Sequence, residues 1–179
     1  MKYPNYSKEI IQMARVDQSH RFKMQTHRNS KQWREELDRI DKTNTVRMKN
    51  IVEQIGWPTI SLVGKKASHA AWLLVQHSDD DVEFQKTCLR LMKKKYADIS
   101  MANIAYLTDR ILVSEDKKQL YGTQYKRSKT KPDVWEPFPI SNVANVDERR
   151  KKMGLQTLQE NIDEINQNKP YGTKASSLK

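Results

Sequence analysis

A chain of 179 residues is of ordinary single-domain size and long enough to bury a real core. Its residues are 36% hydrophobic and 31% charged with only 5 Gly and 6 Pro, and because the apolar ones fall in periodic stripes this wet composition excludes a disordered chain. The longest apolar run, Ala70 to Val75, excludes a membrane-spanning helix of roughly 20 apolar residues, while 33 Lys and Arg against 22 acidic residues, a formal charge of +11, raise attraction to nucleic acid, anionic lipid or an acidic partner without naming one.

Ser7 reads as the N-cap of a first helix reaching His27, along which Ile10, Ala14, Asp17, Arg21 and Met24 recur at steps of three and four. Asn29-Ser30 then caps a second helix to Ile55, whose stripe is Trp33, Leu37, Ile40, Asn44, Met48, Ile51 and Ile55. Gly56 stops it ahead of Trp57-Pro58. Thr59 to Val63 alternates but reads as a loop, leading through Gly64 into a third helix from Lys65 to His77 with a small-residue face of Ala67, Ala70, Ala71 and Leu74.

Ser78-Asp79-Asp80-Asp81 breaks that helix and caps a fourth, on which Val82, Gln85, Leu89, Met92 and Tyr96 align. Ser100 caps a fifth, with Ile104, Leu107, Thr108 and Ile111 facing inward. Residues 119–140 read as an irregular arm or a short hairpin, since β-type residues surround Gly122 before a stretch rich in charge and proline. Val146-Asp147-Glu148-Arg149-Arg150 opens a last helix, which Gly154 interrupts before it resumes to Ile165. The expected architecture is mainly α: a compact bundle of about five to six helices forming a single domain over 1–165, followed by a flexible basic tail over 166–179. The lone Cys88 and the absence of an apolar run at Met1-Lys2-Tyr3-Pro4-Asn5 lead to the expectation of a cytoplasmic protein.

What interrupts the stripes is more informative than the stripes. Asp17 stands between Ala14 and Arg21, Asn44 between Ile40 and Met48, Gln85 between Val82 and Leu89, and His77 one turn beyond Leu74. A buried polar group without a partner costs about 1–3 kcal/mol, and a carboxylate more, so four inward polar residues are most economically placed together. Each also has a plain structural reading. Asp17 and Arg21 can form an i, i+4 ion pair, Asn44 can fix helix register or pair with Asp41, His77 can bond a terminal carbonyl, and Gln85 can bridge two backbones.

Familiar signatures are missing. His20, His27, His69 and His77 lack metal-ligand spacing and Cys88 has no partner cysteine, which argues against structural zinc, and a carboxylate-rich metal site from Asp17, Asp41 and His77 is the lesser alternative. No phosphate-cradling Gly-rich loop, nucleophile elbow or dinucleotide fingerprint occurs, so no cofactor is named.

Seven strings together carry a resemblance: Asp17-Gln18 with Arg21, Asp41 with Asn44-Thr45, Gly56-Trp57-Pro58-Thr59, Gln76-His77 with Asp79 and Phe84-Gln85, Tyr106-Leu107-Thr108-Asp109-Arg110, Gln119-Leu120-Tyr121-Gly122-Thr123-Gln124, and Val146 to Arg150 with Gly154-Leu155. The chain resembles an uncharacterised bacterial family of unknown function from about Met13 to Ile165. The resemblance implies no activity, cofactor or catalytic residue, but its strings contain the residues that interrupt the stripes and add Arg110 and the Tyr121–Gln124 segment. Such a segment can offer backbone N–H groups at the glycine, a hydroxyl and an amide to a polar or anionic group, or it can be a tight turn packed on the helices.

Three functions follow. The first is a hydrolase or group-transfer enzyme on a small polar or nucleotide-like substrate in an interior polar pocket. In it His77 is the general acid or base oriented by Asp17 or Asp41, and Arg110 holds an anionic group. Arg21, Asn44, Gln76, Gln85, Gln119, Tyr121, Thr123 and Gln124 complete the substrate-binding set. The alternative is a non-catalytic basic protein that binds nucleic acid or an acidic protein through Lys117 to Lys131 with Tyr121, Tyr125 and Trp135. The third is a scaffold whose polar interior is purely structural.

Overall fold

The computed structural model describes residues 1–26, 31–131 and 133–168, without the side chains of 24–26 and 168. Helix α1 runs over Pro4–Thr26 and starts before Ser7, not after it. Proline needs no hydrogen-bond acceptor for its nitrogen and presets a helical φ, so Pro4 opens the helix, and Ser7 donates its backbone N–H to Tyr3 O within the first turn. Helix α2 spans Lys31–Ile55 and buries Leu37, Asn44, Met48, Ile51 and Val52 on one face; the cap expected at Asn29-Ser30 lies outside the described residues.

Thr59 to Val63 is not a loop but contains one helical turn, α3 at Ile60–Val63. Four residues are too few for periodicity to reveal, and the turn is set by Thr59 in an extended N-cap conformation and Gly64 at φ 84° ending it. Helix α4, Lys65–Gln76, buries Ala67, Ala70 and Ala71, and these small side chains let α1 lie close, its most extensive packing partner. Helix α5, Val82–Lys93, begins where Asp81 accepts a hydrogen bond from Phe84 N at 3.0 Å, the expected cap. Met101–Ser114 forms α6, directly after Ser100.

The chain condenses into two compact units, Met1–Ile104 and Ala105–Lys179. The first is built on α1, α2 and α4, mutually packed around Ile10, Met48, Ile51, Ala71, Leu74 and Val75, all 0–1% exposed. The second holds the remainder of α6, the antiparallel pair β1 (Tyr125–Arg127) and β2 (Trp135–Pro137), and helices α7 (Val146–Lys152) and α8 (Leu158–Asn168). Gly154, at φ 68°, ends α7 in a left-handed turn whose amides return to Lys151 O and Arg150 O, the two-bond arrangement that satisfies terminal carbonyls. Thr157 and Glu160 then start α8 by reciprocal bonds, Thr157 N to Glu160 Oε2 at 2.8 Å and Glu160 N to Thr157 Oγ1 at 3.3 Å. The fold is mainly α with one small hairpin, and no helix among the described residues is long and apolar enough to cross a membrane.

Candidate functional site

The site lies in the first unit, where α1, α2 and the end of α4 meet. Asp17 on α1 is 0% exposed. Its carboxylate accepts from Gln18 Nε2 at 2.7 Å, Arg21 Nε at 3.0 Å and His77 Nδ1 at 3.1 Å. Through Nη2 the same Arg21 guanidinium donates to Asp41 Oδ1 on α2 at 2.6 Å. One arginine therefore links two carboxylates, and one of these holds the histidine. His77 itself is the C-cap of α4, with its backbone N–H on Leu73 O and Leu74 O.

The two carboxyls titrate in opposite directions. Burial pushes Asp17 up, but the His77 hydrogen bond, the charges of His77 and Arg21, and the Gln18 contact outweigh it and hold the group down at about 2. Burial also pushes Asp41 up, and here Arg21 compensates only in part while Asp17 adds repulsion, leaving Asp41 raised to about 6. Such a split separates a permanent anion from a proton donor within one cluster. His77 and Asp41 both line a cleft of about 320 Å³, together with Thr45 and Ser78. Thr45 Oγ1 is 2.8 Å from Ser78 Oγ, which ties the floor of the cleft to the turn after α4.

Asp17, Asp41 and His77 also offer three ligand atoms within 4.8 Å of one another. A metal ion there would compete with Arg21, which already donates to both carboxylates. The buried Cys88 is no nucleophile, since burial pushes its thiol far above its ordinary value.

The other expected residues divide. Gln85, 0% exposed, donates Nε2 to Val75 O at 3.1 Å and Gln76 O at 3.5 Å. It therefore fixes the backbone just ahead of His77 and bridges two backbone carbonyls. Gln76 and Asn44 are buried, and Gln76 Oε1 and Asn44 Nδ2 have no hydrogen-bond partner among the described residues. Gln18, Thr45 and Ser78 enter the cluster although they were not among the expected site residues. The signal for Gln18 and Thr45 lay in the strings, which already contain Asp17-Gln18 and Asn44-Thr45, whereas Ser78 appears in none of them.

Arg110, Gln119, Tyr121, Thr123 and Gln124 belong to the second unit, and there the organising residue is Asp109, which stripe reasoning passed over. Asp109 is 0% exposed. It accepts from the backbone N–H groups of Leu120, Tyr121 and Thr123 and from the Thr123 hydroxyl at 2.7–3.1 Å. Burial nevertheless raises its pKa above the ordinary value. From the other side Arg149 donates to Leu120 O, and Arg150 to Tyr121 O and Gly122 O. The amides that could have received an anion are thus committed inside the protein, and the segment is the packed turn. Gln119 completes it, donating to Gln124 O and Phe138 O and accepting from Gln124 N.

A family described as being of unknown function, DUF6624, matches residues 4–176. The chain belongs to this family. No curated protein and no solved structure matches it. Membership of DUF6624 brings no activity with it, so the chemistry has to rest on the cluster. In this member Trp135 and the neighbouring Phe138 face cations of the basic arm. Lys126 Nζ lies 5.7 Å from the Phe138 ring and the Arg127 guanidinium 5.9 Å from Trp135, so a stacking nucleobase would have to displace them.

Proposed function

We propose that the chain is an acid–base catalyst, a hydrolase or group-transfer enzyme acting on a small polar substrate in the cleft of the first unit. The observation that carries this reading is the 3.1 Å bond between His77 Nδ1 and the fully buried Asp17, on a histidine that lines the same cleft as Asp41. With Nδ1–H committed to a carboxylate, neutral His77 takes a proton at Nε2, and Asp17 stabilises the imidazolium that results. In hydrolysis a water gives that proton to His77 as its oxygen bonds to the substrate. The departing group takes a proton from Asp41, whose value of about 6 suits a donor near neutrality. Arg21 keeps the carboxylates apart in role by pairing with both, and Gln85 positions the turn that carries His77.

The test is turnover by the purified chain of carboxylic ester, amide and phosphoester panels, with His77→Asn and Asp41→Asn in parallel. Both variants should remain folded by circular dichroism and lose on the order of 10²–10⁴ in rate. In the parent, activity should fall as pH rises through about 6 and Asp41 loses its proton. A folded His77→Asn variant with undiminished turnover, or a parent without turnover on any panel, refutes the reading.

A further inference from the structure

The chain carries +11 overall, yet the cleft beside His77 has the opposite sign. Its walls present Asp38, Asp41, Asp79, Asp80 and Asp81 against Lys42 and Lys49, and Lys49 is paired with Asp81. Two elements supply the acids: Asp38 lies one turn ahead of Asp41 on α2, and Asp79-Asp80 follow His77 in the turn before α5. A concave surface lined by one sign of charge focuses the field and concentrates ligands of the other sign. An anionic substrate, phosphate included, therefore meets repulsion on entering, and Arg110, the residue expected to receive it, belongs to the second unit.

A metal ion fits less well than an organic cation. Metal ligands must converge on one point at about 2.0–2.6 Å. Among the described residues only Asp17, Asp41 and His77 converge in this way, and Arg21 donates to both of those carboxylates. Asp38, Asp79 and Asp80 are exposed and belong to no convergent set. Carboxylates arranged so suit an ammonium or guanidinium group, whose several N–H donors point in different directions. The volume of about 320 Å³ is at the small end of ligand sites.

We propose that the substrate of this cleft is a small organic cation whose ammonium or guanidinium group is held by Asp38, Asp79 and Asp80, with its remainder directed to His77 and Asp41. The proposal rests on the acid–base reading for the identity of the site and adds the chemical class of what enters it.

Calorimetric titration of the full chain with putrescine, agmatine and spermidine, and separately with inorganic phosphate and magnesium chloride, tests it. At least one amine should bind, more weakly at high ionic strength and about fivefold more weakly to the double variant Asp38→Asn, Asp80→Asn. Both side chains are exposed, so the double variant retains its fold. Preference for phosphate or magnesium, no binding of any amine, or binding indifferent to the two substitutions overturns the proposal. Turnover by His77→Asn separates the two readings. Amine binding with an unimpaired His77→Asn variant sinks only the acid–base chemistry, and a dead His77→Asn variant without amine binding sinks only the substrate class.

Discussion

Replacing Asp41 by Asn should make the protein more stable at neutral pH while abolishing its chemistry. Asp41 is raised from 3.8 to about 6 in the folded chain, so the folded state holds a proton over a range in which the unfolded state has released it. The associated stability is fully present below pH 3.8 and is lost as pH rises through about 6. At 1.36 kcal/mol per pKa unit, the loss by pH 7 is about 3 kcal/mol. Asparagine has nothing to titrate, keeps an oxygen for Arg21, and leaves Arg21 its second partner, Asp17. Stability of parent and variant should therefore be closest below pH 3.8 and diverge in the variant's favour by about 3 kcal/mol at pH 7. Urea melts at several pH values followed by tryptophan fluorescence measure this, since Trp33, Trp57 and Trp72 all belong to the first unit. Parallel pH profiles for the two proteins would show that Asp41 does not hold its proton and would remove the proposed acid.

Asp17→Asn should act in the opposite sense. With Asp17 held at about 2, its contribution of about 2 kcal/mol is present above pH 3.8 and lost as pH falls through about 2, so acid titration of parent and variant should converge only at the acid end. Asn44→Leu removes a buried Nδ2 that has no hydrogen-bond partner among the described residues. It should leave thermal stability unchanged or higher, and a large loss would mean that Asn44 has a polar partner. Gly122→Ala requires a side chain at φ +70° whose Cβ would sit 2.7 Å from Leu158 Cδ1 and 2.8 Å from Ile140 Cδ1. It should cost about 2–4 kcal/mol in chemical denaturation, and a wild-type midpoint would refute that geometry.

The longer helices of the first unit could be read in the sequence because their apolar stripes are long, and because Asp81 caps α5 by a local rule. Local rules also carried signals that stripe reasoning passed over, such as Pro4 at a helix start and Thr157-x-x-Glu160 ahead of α8. Burial of Asp17, Asn44 and Gln85 followed from their places in the stripes. Their partners did not, since Asp17 meets His77 across 60 positions of sequence and periodicity contains no information on which helices touch. Asp109 was hidden for the same reason. A carboxylate beside Thr108 looks like a surface residue until a loop 11–14 residues ahead supplies its amides.

The turn at 119–124 is gripped from both sides, its N–H groups by a carboxylate on α6 and its carbonyls by two guanidiniums on α7. Neither grip is worth much alone. Asp109 without the turn is a desolvated anion, and Arg150, 1% exposed, without it is a cation shut away from water among backbone oxygens. Segments about 40 positions apart must consequently assemble in one step, so the second unit should lack partly folded forms and should be cleaved by proteases either throughout or hardly at all.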